Sequence, residues 1–318
     1  MQDTEHPIIA GVDVSKATLD FAIHASRVVQ QVSYTDDGIG ALVAACRQAK
    51  VTLVVLEATG GLERRLVRAL AAAQLPWHVA NPRQVRDLAR AMGRLAKTDA
   101  IDARVLVDYG RKLNPSPHEL PDTHRQKLRD LATRHQQLVD MRTAELNRRG
   151  GCDDAAIAAM IDAHLAWLDE QLAHVARHMD TLIESDDVLR RTAHAIASTP
   201  GVGRLTARRL VAELPELGAR SPRQIAKLIG VAPINRDSGV LRGKRTTGGG
   251  RRSVRKLLYM PTLVATRHNG HIRAMYQRLL DAGKPKLVAL VACMRKLLVY
   301  LNAMIRENKT WEQFIEMA

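Results

Sequence analysis

The chain has 318 residues, of which 46% are hydrophobic and 25% charged, so it has room for about two or three ordinary cores and cannot be a single small domain. Its 48 lysines and arginines against 33 acidic residues give a net charge of +15, more than an ordinary metabolic enzyme carries. The three cysteines are scattered, without a CxxC pair or a nearby histidine at zinc-ligand spacing, which argues against a disulfide scaffold and a structural zinc site.

Residues 1–120 alternate short β-like runs with amphipathic stretches. Three β-rich runs within 7–35 predict a meander that opens a sheet, and the Val-rich run 51–58 predicts a buried strand. Helical patterns and one more short strand alternate over 61–92. The first 120 residues are therefore predicted to form a mixed α/β domain.

From residue 121 onward the β signals vanish and long helical patterns begin. One predicted helix ends at the Gly150–Gly151 pair, and the next carries a strict heptad seam of apolar residues. The seam predicts a helical arm over 121–190, either a hairpin or an intermolecular coiled coil, and an intramolecular core stripe explains the spacing equally well. The seam residues are Ile161, Leu165, Leu168, Leu172, Val175, Met179 and Leu182.

Residues 191–318 are predicted to be mainly helical and to begin with a Gly-Val-Gly turn before a basic helix. Backbone N–H groups at such a helix-hairpin-helix-like turn can bind phosphate, which makes Gly201 and Gly203 candidate nucleic-acid contacts. The alternative is a turn that only connects two helices. The longest apolar run, at 287–294, is far shorter than the roughly 20 residues of a membrane span, so a cytoplasmic protein without a membrane segment is expected.

Most of the excess charge lies at the C-terminal end, since residues 235–318 hold 17 basic and 5 acidic residues. The segment 235–256 combines eight basic residues with glycines and a single acid. Unopposed cations gain most by displacing counterions from nucleic acid, so the segment predicts a phosphate-binding loop rather than a disordered basic tail. Its candidate contacts are Arg236, Arg242, Lys244, Arg245, Arg251, Arg252 and Arg255.

Four carboxylates stand out in the first 120 residues. Asp13 lies in the first predicted strand, Glu57 ends the Val-rich strand, and Asp99 and Asp102 share one face of a helix. Carboxylates at neighbouring strand ends repel one another unless cations lie between them, so the set predicts two Mg²⁺ ions for phosphoryl transfer. Taken singly, each acid is more often a surface residue or a helix N-cap. Asp20 has no comparable placement and is interpreted as a solvated charge.

Together these motifs resemble the insertion sequence 110 family of DEDD transposases, which includes the Piv-type DNA invertases. The motifs that carry the resemblance occur in the same order as in the family and extend over nearly the whole chain. They are GVDVSK at 11–16, LEATGG at 56–61, KTDAIDARVL at 97–106, PGVG at 200–203, and SGVLRGKR with the later GGRRSVRKLLYMP. The resemblance implies a RuvC-like ribonuclease H fold over 1–120, a coiled-coil arm over 121–190 and a transposase domain over 191–318. The family's metal ligands match Asp13, Glu57, Asp99 and Asp102, and its serine matches Ser238.

Ser238 has two interpretations. From the residues alone, a serine before glycine in a basic loop is a turn former or a phosphate hydrogen-bonder. The resemblance makes it a nucleophile that forms a covalent phosphoserine with DNA. Such a link conserves the phosphodiester energy, and the sequence contains no GxxxxGK[ST] motif for ATP.

The expected function is Mg²⁺-dependent DNA transposition or recombination in a prokaryotic cytoplasm, at the nucleoid. The resemblance implies a homo-oligomer, dimer or tetramer, that acts on donor and target DNA duplexes, and a structured bridge RNA as guide. Ser238 lies 136 residues beyond Asp102, so the hydroxyl and the metal site are expected in separately folded units, and the resemblance implies that they meet between subunits. The alternatives are a Piv-type invertase, a RuvC-like junction nuclease that uses only the acids and water, and a nucleic-acid-binding protein with a decayed metal site.

Overall fold

A computed structural model of the protein describes residues 7–24, 28–94, 98–120, 122–235, 237–238, 241–243 and 245–316. Of residues 99, 100, 241 and 242 only the backbone is described. Contacts divide the chain into two compact units, Met1–Pro121 and Asp122–Ala318. The first unit corresponds to the predicted α/β part, and the second contains both the helical arm and the C-terminal part.

The first unit is built on a mixed sheet, as predicted. Among the described residues its strand order is β3-β2-β1-β4-β5, where β2 is antiparallel to its neighbours and β1, β4 and β5 run parallel. The strands are β1 Ile9–Val14, β2 Thr18–Ile23, β3 Val29–Ser33, β4 Leu53–Glu57 and β5 Trp77–Ala80. The helices are α1 Asp36–Gln48, α2 Glu63–Ala72, α3 Pro82–Ala91 and α4 Asp99–Leu113.

Strand β1 contributes to two cores, one on each face of the sheet. Its residues 10, 12 and 14 pack in the core that α1 and α2 cover, whereas Ile9 packs in the core that α3 and α4 cover. Because successive side chains of a strand point to opposite faces, Asp13 lies on the face of Ile9. Val55 of β4 belongs to the same core, so Glu57 also lies on the side of α3 and α4.

The second unit begins with two long helices, α5 (Thr123–Gly150) and α6 (Ala155–Glu184). The ion pairs Arg142–Asp169 (2.6 Å) and Arg149–Asp162 (2.9 Å) join the two helices. The paired residues are closer in sequence the nearer they lie to the connecting turn, as an antiparallel hairpin requires. The buried members of the heptad seam, Leu168, Val175 and Met179, pack in the core of this unit, and the other four are half-buried. The hairpin and the burial of these seam residues agree with two of the three explanations that the spacing allowed, a helical hairpin and a core stripe within the chain.

The remaining helices complete this core around α12. They are α7 Asp187–Ala197, α8 Arg204–Glu213, α9 Pro222–Leu228, α10 Arg252–His268, α11 Gly270–Asp281, α12 Lys286–Glu307 and α13 Trp311–Ile315. Helix α12 has the length and apolar composition of a membrane span, with a mean hydropathy of 1.7 in its most apolar window. Half of that window is buried inside the unit, with Leu297 and Leu301 fully enclosed, so α12 fits the role of a central core helix.

The expectation that β structure ends at residue 121 is wrong for the basic segment. Strands β6 (Pro233–Ile234) and β9 (Thr246–Thr247) pair antiparallel, and so do β7 (Asp237–Ser238) and β8 (Leu241–Arg242). The nested pairs make a ribbon from the described residues of 233–247. Its described side chains are exposed, and the backbone at Gly243 is half-buried. Each strand is two residues long, too short for the periodicity by which strands are detected in sequence.

Candidate active site

Two of the four singled-out carboxylates lie side by side at the carboxyl ends of parallel strands. Strands β1 and β4 pair in register with Val12 opposite Leu56 as their last pair, so the next residues, Asp13 and Glu57, lie beside each other where the pairing of these two strands ends. Both side chains are half-buried and lie on the same face. The carboxyl edge of parallel strands is where α/β sheets commonly bind ligands.

Helix α4 brings a third carboxylate to this edge through a close approach at Gly11. A Cβ atom on Gly11 would lie 2.2 Å from the carbonyl oxygen of Ala103 and 2.6 Å from the nitrogen of Val107, so no side chain fits there. One α4 turn further, Gly110 similarly meets Ile9. The helix can therefore lie directly on β1, and Asp102, the residue before Ala103, lies beside the strand end.

These three acids line one cleft of about 410 Å³. Asp13, Glu57 and Asp102 share it with Thr59, and helix α3 contributes Val85, Arg86 and Ala89 to its lining. Asp99 is the first residue of α4, one turn before Asp102, and its side chain lies outside the described part of the chain. Oxygen-rich clefts of this kind suit hard divalent cations, so the described residues fit the predicted metal site.

A glutamate that sequence reasoning overlooked holds the loop after Glu57. The Oε2 atom of Glu63 accepts hydrogen bonds from the Thr59 N–H (3.1 Å), the Thr59 hydroxyl (2.9 Å) and the Gly61 N–H (2.9 Å). Burial raises the pKa of the Glu63 carboxyl, but these hydrogen bonds and one from its own N–H outweigh burial and hold the pKa below its usual range. A threonine shortly before a glutamate in the first turn of a helix resembles a capping pattern. This pattern could have indicated the role of Glu63 from the sequence.

Asp20 is not the solvated charge that the sequence suggested. It lies directly opposite Asp13 in the β1–β2 pair and is 7% exposed. The side-chain amide of Gln31 donates to both of its carboxylate oxygens, at 3.0 and 3.3 Å. Directly opposed residues share a face of the sheet, so Asp20 adds a buried acid beside the cleft.

Ser238 belongs to the second unit, in strand β7 of the exposed ribbon. Its partner across the ribbon is Leu241, and the side chain of Ser238 is exposed. The ribbon stands on glycines 230 and 250, where a Cβ would meet backbone atoms at 2.1 and 2.4 Å. An exposed hydroxyl on a ribbon with a fixed base is accessible to a large substrate.

Two of the predicted phosphate-binding arginines are already engaged inside the second unit. The guanidinium of Arg251 donates to both carboxylate oxygens of Glu216, at 2.6 and 2.5 Å, and to the carbonyl of Glu213 at 3.1 Å. Arg255 donates to the carbonyl of Gly249 at 2.7 Å. Both contacts fasten the base of the ribbon, which gives these residues a structural role that charge density alone could not reveal.

The other predicted phosphate contacts are either exposed or outside the described residues. Arg245 and Arg252 are exposed at the ribbon and at the start of α10. Arg236 and Lys244 lie outside the described residues, as does the side chain of Arg242.

The Gly-Val-Gly turn joins α7 to α8, and both of its glycines have structural roles. Gly201 has a φ of +96°, and a Cβ there would lie 2.7 Å from the backbone nitrogen of Ala265 in α10. Gly203 is the N-cap residue of α8, and nothing lies within 4 Å of its Cβ position. The turn therefore connects two helices and packs on α10, while the start of α8 stays open.

A second acidic group lies at the start of the hairpin. Ligand atoms of Asp122, His124 and Asp186 lie within 4.8 Å of one another. Both carboxylates already cap helices, since Asp122 accepts from the Arg125 N–H and Asp186 from the N–H groups at the start of α7. Capping explains these two acids without an ion.

Two protein families match most of the chain between them. The IS110 DEDD transposase family matches residues 10–151, which include the acids of the cleft. The transposase family IS116/IS110/IS902 matches residues 193–277, which include the ribbon and Ser238.

Similar proteins come from several bacteria. A pilin gene-inverting protein of Moraxella bovis is 26% identical over 96% of this chain and 98% of its own length. An uncharacterized 42 kDa protein of the insertion element IS900 from Mycobacterium paratuberculosis is 32% identical over 49% of this chain and 39% of its own. The Thermus thermophilus RuvC structure matches 35% of this chain and 99% of its own at 13% identity, with a TM-score of 0.26.

Proposed function

Because the chain belongs to the IS116/IS110/IS902 family of transposases and is thus a DNA-recombining enzyme, we propose that it cuts and rejoins DNA through the acidic cleft and Ser238. The observation that carries this proposal is the convergence of Asp13, Glu57 and Asp102 on one cleft. The strand order β3-β2-β1-β4-β5, with α4 lying on β1, supports a RuvC-like ribonuclease H fold for the first unit.

In this proposal Asp13, Glu57, Asp99 and Asp102 hold two Mg²⁺ ions. Bound there, the ions would supply stabilisation of the attacking and leaving oxygens during phosphoryl transfer. The protein fixes the positions of the acids through the β1–β4 register, the Gly11 contact and the Glu63 loop. Such rigid support keeps ligands in place before the substrate arrives.

The proposed nucleophile is the Ser238 hydroxyl. Its Oγ forms a bond to the scissile phosphorus while the bond from phosphorus to one deoxyribose oxygen breaks, and that oxygen takes up the proton which the serine loses. The reverse attack by a hydroxyl of another DNA end releases the serine and joins the new strand. The number of phosphodiester bonds is thus conserved without ATP.

Nucleic-acid binding is proposed for the ribbon and the turn. Arg236, Arg242, Lys244, Arg245 and Arg252 would contact backbone phosphates, together with the open start of α8 at Gly203. The engaged guanidinium groups of Arg251 and Arg255 would hold the ribbon rather than the phosphates. A helix-hairpin-helix role for 199–203 is part of the same proposal.

The wider assembly is also proposed rather than observed. Ser238 and the acids belong to separate units of the chain, which supports sites composed across subunits of a homo-oligomer. The modules would be the catalytic domain 1–120, a coiled-coil arm 121–190 and the transposase domain 191–318, acting in the cytoplasm on donor and target duplexes at the nucleoid. A bridge RNA would select these duplexes.

A site-specific invertase is the second candidate. The relative from Moraxella bovis that spans 98% of its own length in the match is a pilin gene-inverting protein. The same cleft and serine would serve inversion, since that reaction differs from transposition in the arrangement of the DNA sites and not in its chemistry.

The test uses plasmids that carry the DNA flanking the gene in its own genome. In Mg²⁺ the wild-type protein should leave a protein–DNA adduct that partitions into the phenol phase, since the serine stays linked to the DNA. Ser238→Ala and Asp13→Asn should leave none while still binding the DNA. Nicking by Ser238→Ala without an adduct would instead identify a junction nuclease, and binding without cleavage by the wild type would identify a binding protein. A mixture of the two variants that regains adduct formation would support sites composed across subunits.

A further inference from the structure

We propose that Arg86 is a further catalytic residue, whose guanidinium binds the non-bridging oxygens of the scissile phosphate inside the acidic cleft. The inference rests on the function proposed above and adds to it the contact that neutralises the substrate.

Arg86 belongs to the part of helix α3 that lines the cleft. Helix α3 begins at Pro82 and buries Val85 and Ala89, each 4% exposed, in the core beneath it. Arg86 directly follows Val85, is half-buried, and lines the cleft with Asp13, Glu57 and Asp102. A sphere of the cleft's volume is about 9 Å across, close to one Debye length at physiological salt, so charges on its walls act on whatever binds between them.

The other arginines of α3 that flank Arg86 are engaged elsewhere. Arg83 and Arg90 both lie near Asp87, at 3.8 and 3.9 Å, on the exposed side of the helix. Within the described part of the chain, Arg86 has neither an ion pair nor a hydrogen bond from its side chain, and it is the one lysine or arginine among the residues that line the cleft. A guanidinium that lines the cleft without a partner among the described side chains is available to a substrate.

Charge balance says what that substrate group must be. Four ionised carboxylates and two divalent cations cancel, so the negative charge of an entering phosphodiester is left unopposed in the cleft. Among the described residues that line the cleft, Arg86 is the one that offers a positive charge to this phosphodiester. If Arg86 served only to neutralise the acids, its charge would no longer be needed once the metal ions bind.

The chemistry of arginine suits this role. Its planar guanidinium can donate two parallel hydrogen bonds to two oxygens of one phosphate and stays protonated at all working pH values. In phosphoryl transfer, negative charge spreads over the non-bridging oxygens, so a donor held in place there stabilises the transition state more than the ground state. No proton needs to move to or from Arg86.

The experiment compares Arg86→Ala and Arg86→Lys with the matched control Arg83→Ala, which removes an exposed arginine from the same helix. Single-turnover cleavage of the flanking DNA is measured at saturating protein, Mn²⁺ binding is followed by electron paramagnetic resonance, and folding is followed by thermal melting. Arg86→Ala should cleave about 10²–10³-fold more slowly, the usual loss when one transition-state donor is removed. Mn²⁺ binding and melting should match the control, and Arg86→Lys should be intermediate because it keeps the charge without the planar fork.

A loss below tenfold, or a rate loss that is matched by lost Mn²⁺ binding, would overturn the inference. If Arg86→Ala does not fold, Arg86→Lys decides by the same two criteria. Asp13→Asn distinguishes a failure of the proposed function from a failure of the role of Arg86. If it cleaves at the wild-type rate, the proposed function fails, whereas an inactive Asp13→Asn beside an Arg86→Ala that behaves like Arg83→Ala overturns only the role of Arg86.

Discussion

At the scale of single residues, the cleft depends on side chains that do not themselves line it. Glu63 binds the loop that follows Glu57 with three hydrogen bonds, and Gln31 binds the buried carboxylate of Asp20 beside Asp13. Hydrogen bonds to ionised carboxylates are stronger than those between neutral groups. The positions of the candidate metal ligands are therefore set by neighbouring acids as much as by the ligands' own strands.

Glu63→Gln should reduce stability at neutral pH but hardly at all in acid. The folded pKa of Glu63 lies below the ordinary glutamate value of about 4.3, so its stabilisation is present above that value and is lost as pH falls through the folded pKa. For a half-exposed carboxylate we expect about 1 kcal/mol at pH 7, at or below the lower end for charge-assisted hydrogen bonds. Urea unfolding at pH 7 and pH 3.5 measures this, with the exposed Glu119→Gln as control. An equal loss at both pH values would contradict the assignment.

At the scale of elements, the decisive contact is between α4 and β1. The helix carries Asp99 and Asp102, and the strand carries Asp13, so the distance between the two elements sets the geometry of the cleft. That distance is short because Gly11 has no side chain, and Gly110 of α4 allows a second close approach at Ile9.

Gly11→Ala should separate these elements and weaken metal binding. The new Cβ would lie 2.2 Å from a backbone oxygen, so α4 has to move, at a cost of about 1–3 kcal/mol typical of overpacked cores. Gly40→Ala in α1 is the matched control, because no atom lies within 4 Å of its Cβ position and alanine favours helix. Thermal melting and Mn²⁺ titration compare the two. If Gly11→Ala melts like Gly40→Ala and keeps its Mn²⁺ affinity, the close approach does not control the site.

At the scale of the whole molecule, the two compact units differ in architecture and charge. The first has its own two cores, one on each face of the sheet, and the second has a single helical core. Nearly all of the excess positive charge belongs to the second unit, because residues 1–120 hold 15 basic and 13 acidic residues. Metal binding is thus expected of the first unit, and binding of DNA phosphates of the second.

A fragment of residues 1–121 should fold cooperatively and bind Mn²⁺ with the affinity of the full chain. Residues 122–318 should keep most of the DNA affinity, which should fall by about 10³ or more between 50 and 200 mM salt if at least six phosphates are neutralised. Circular dichroism melting and filter binding measure both. An unfolded 1–121 fragment, or DNA affinity that resides there, would contradict this division.

The sequence by itself determined the mixed sheet, the long helices and the family, because strand and helix periodicities and short motifs are local patterns. It also singled out four acids, of which the structure places Asp13, Glu57 and Asp102 on one cleft. Only the tertiary structure decided that Asp20 is buried, that Arg251 and Arg255 hold the ribbon, and that Ser238 lies on short paired strands. It also decided that Arg86 of α3 lines the same cleft as Asp13 and Asp102. Burial and pairing depend on residues far apart in the chain. The identity of one basic or acidic residue therefore does not reveal which residue it contacts in the folded protein.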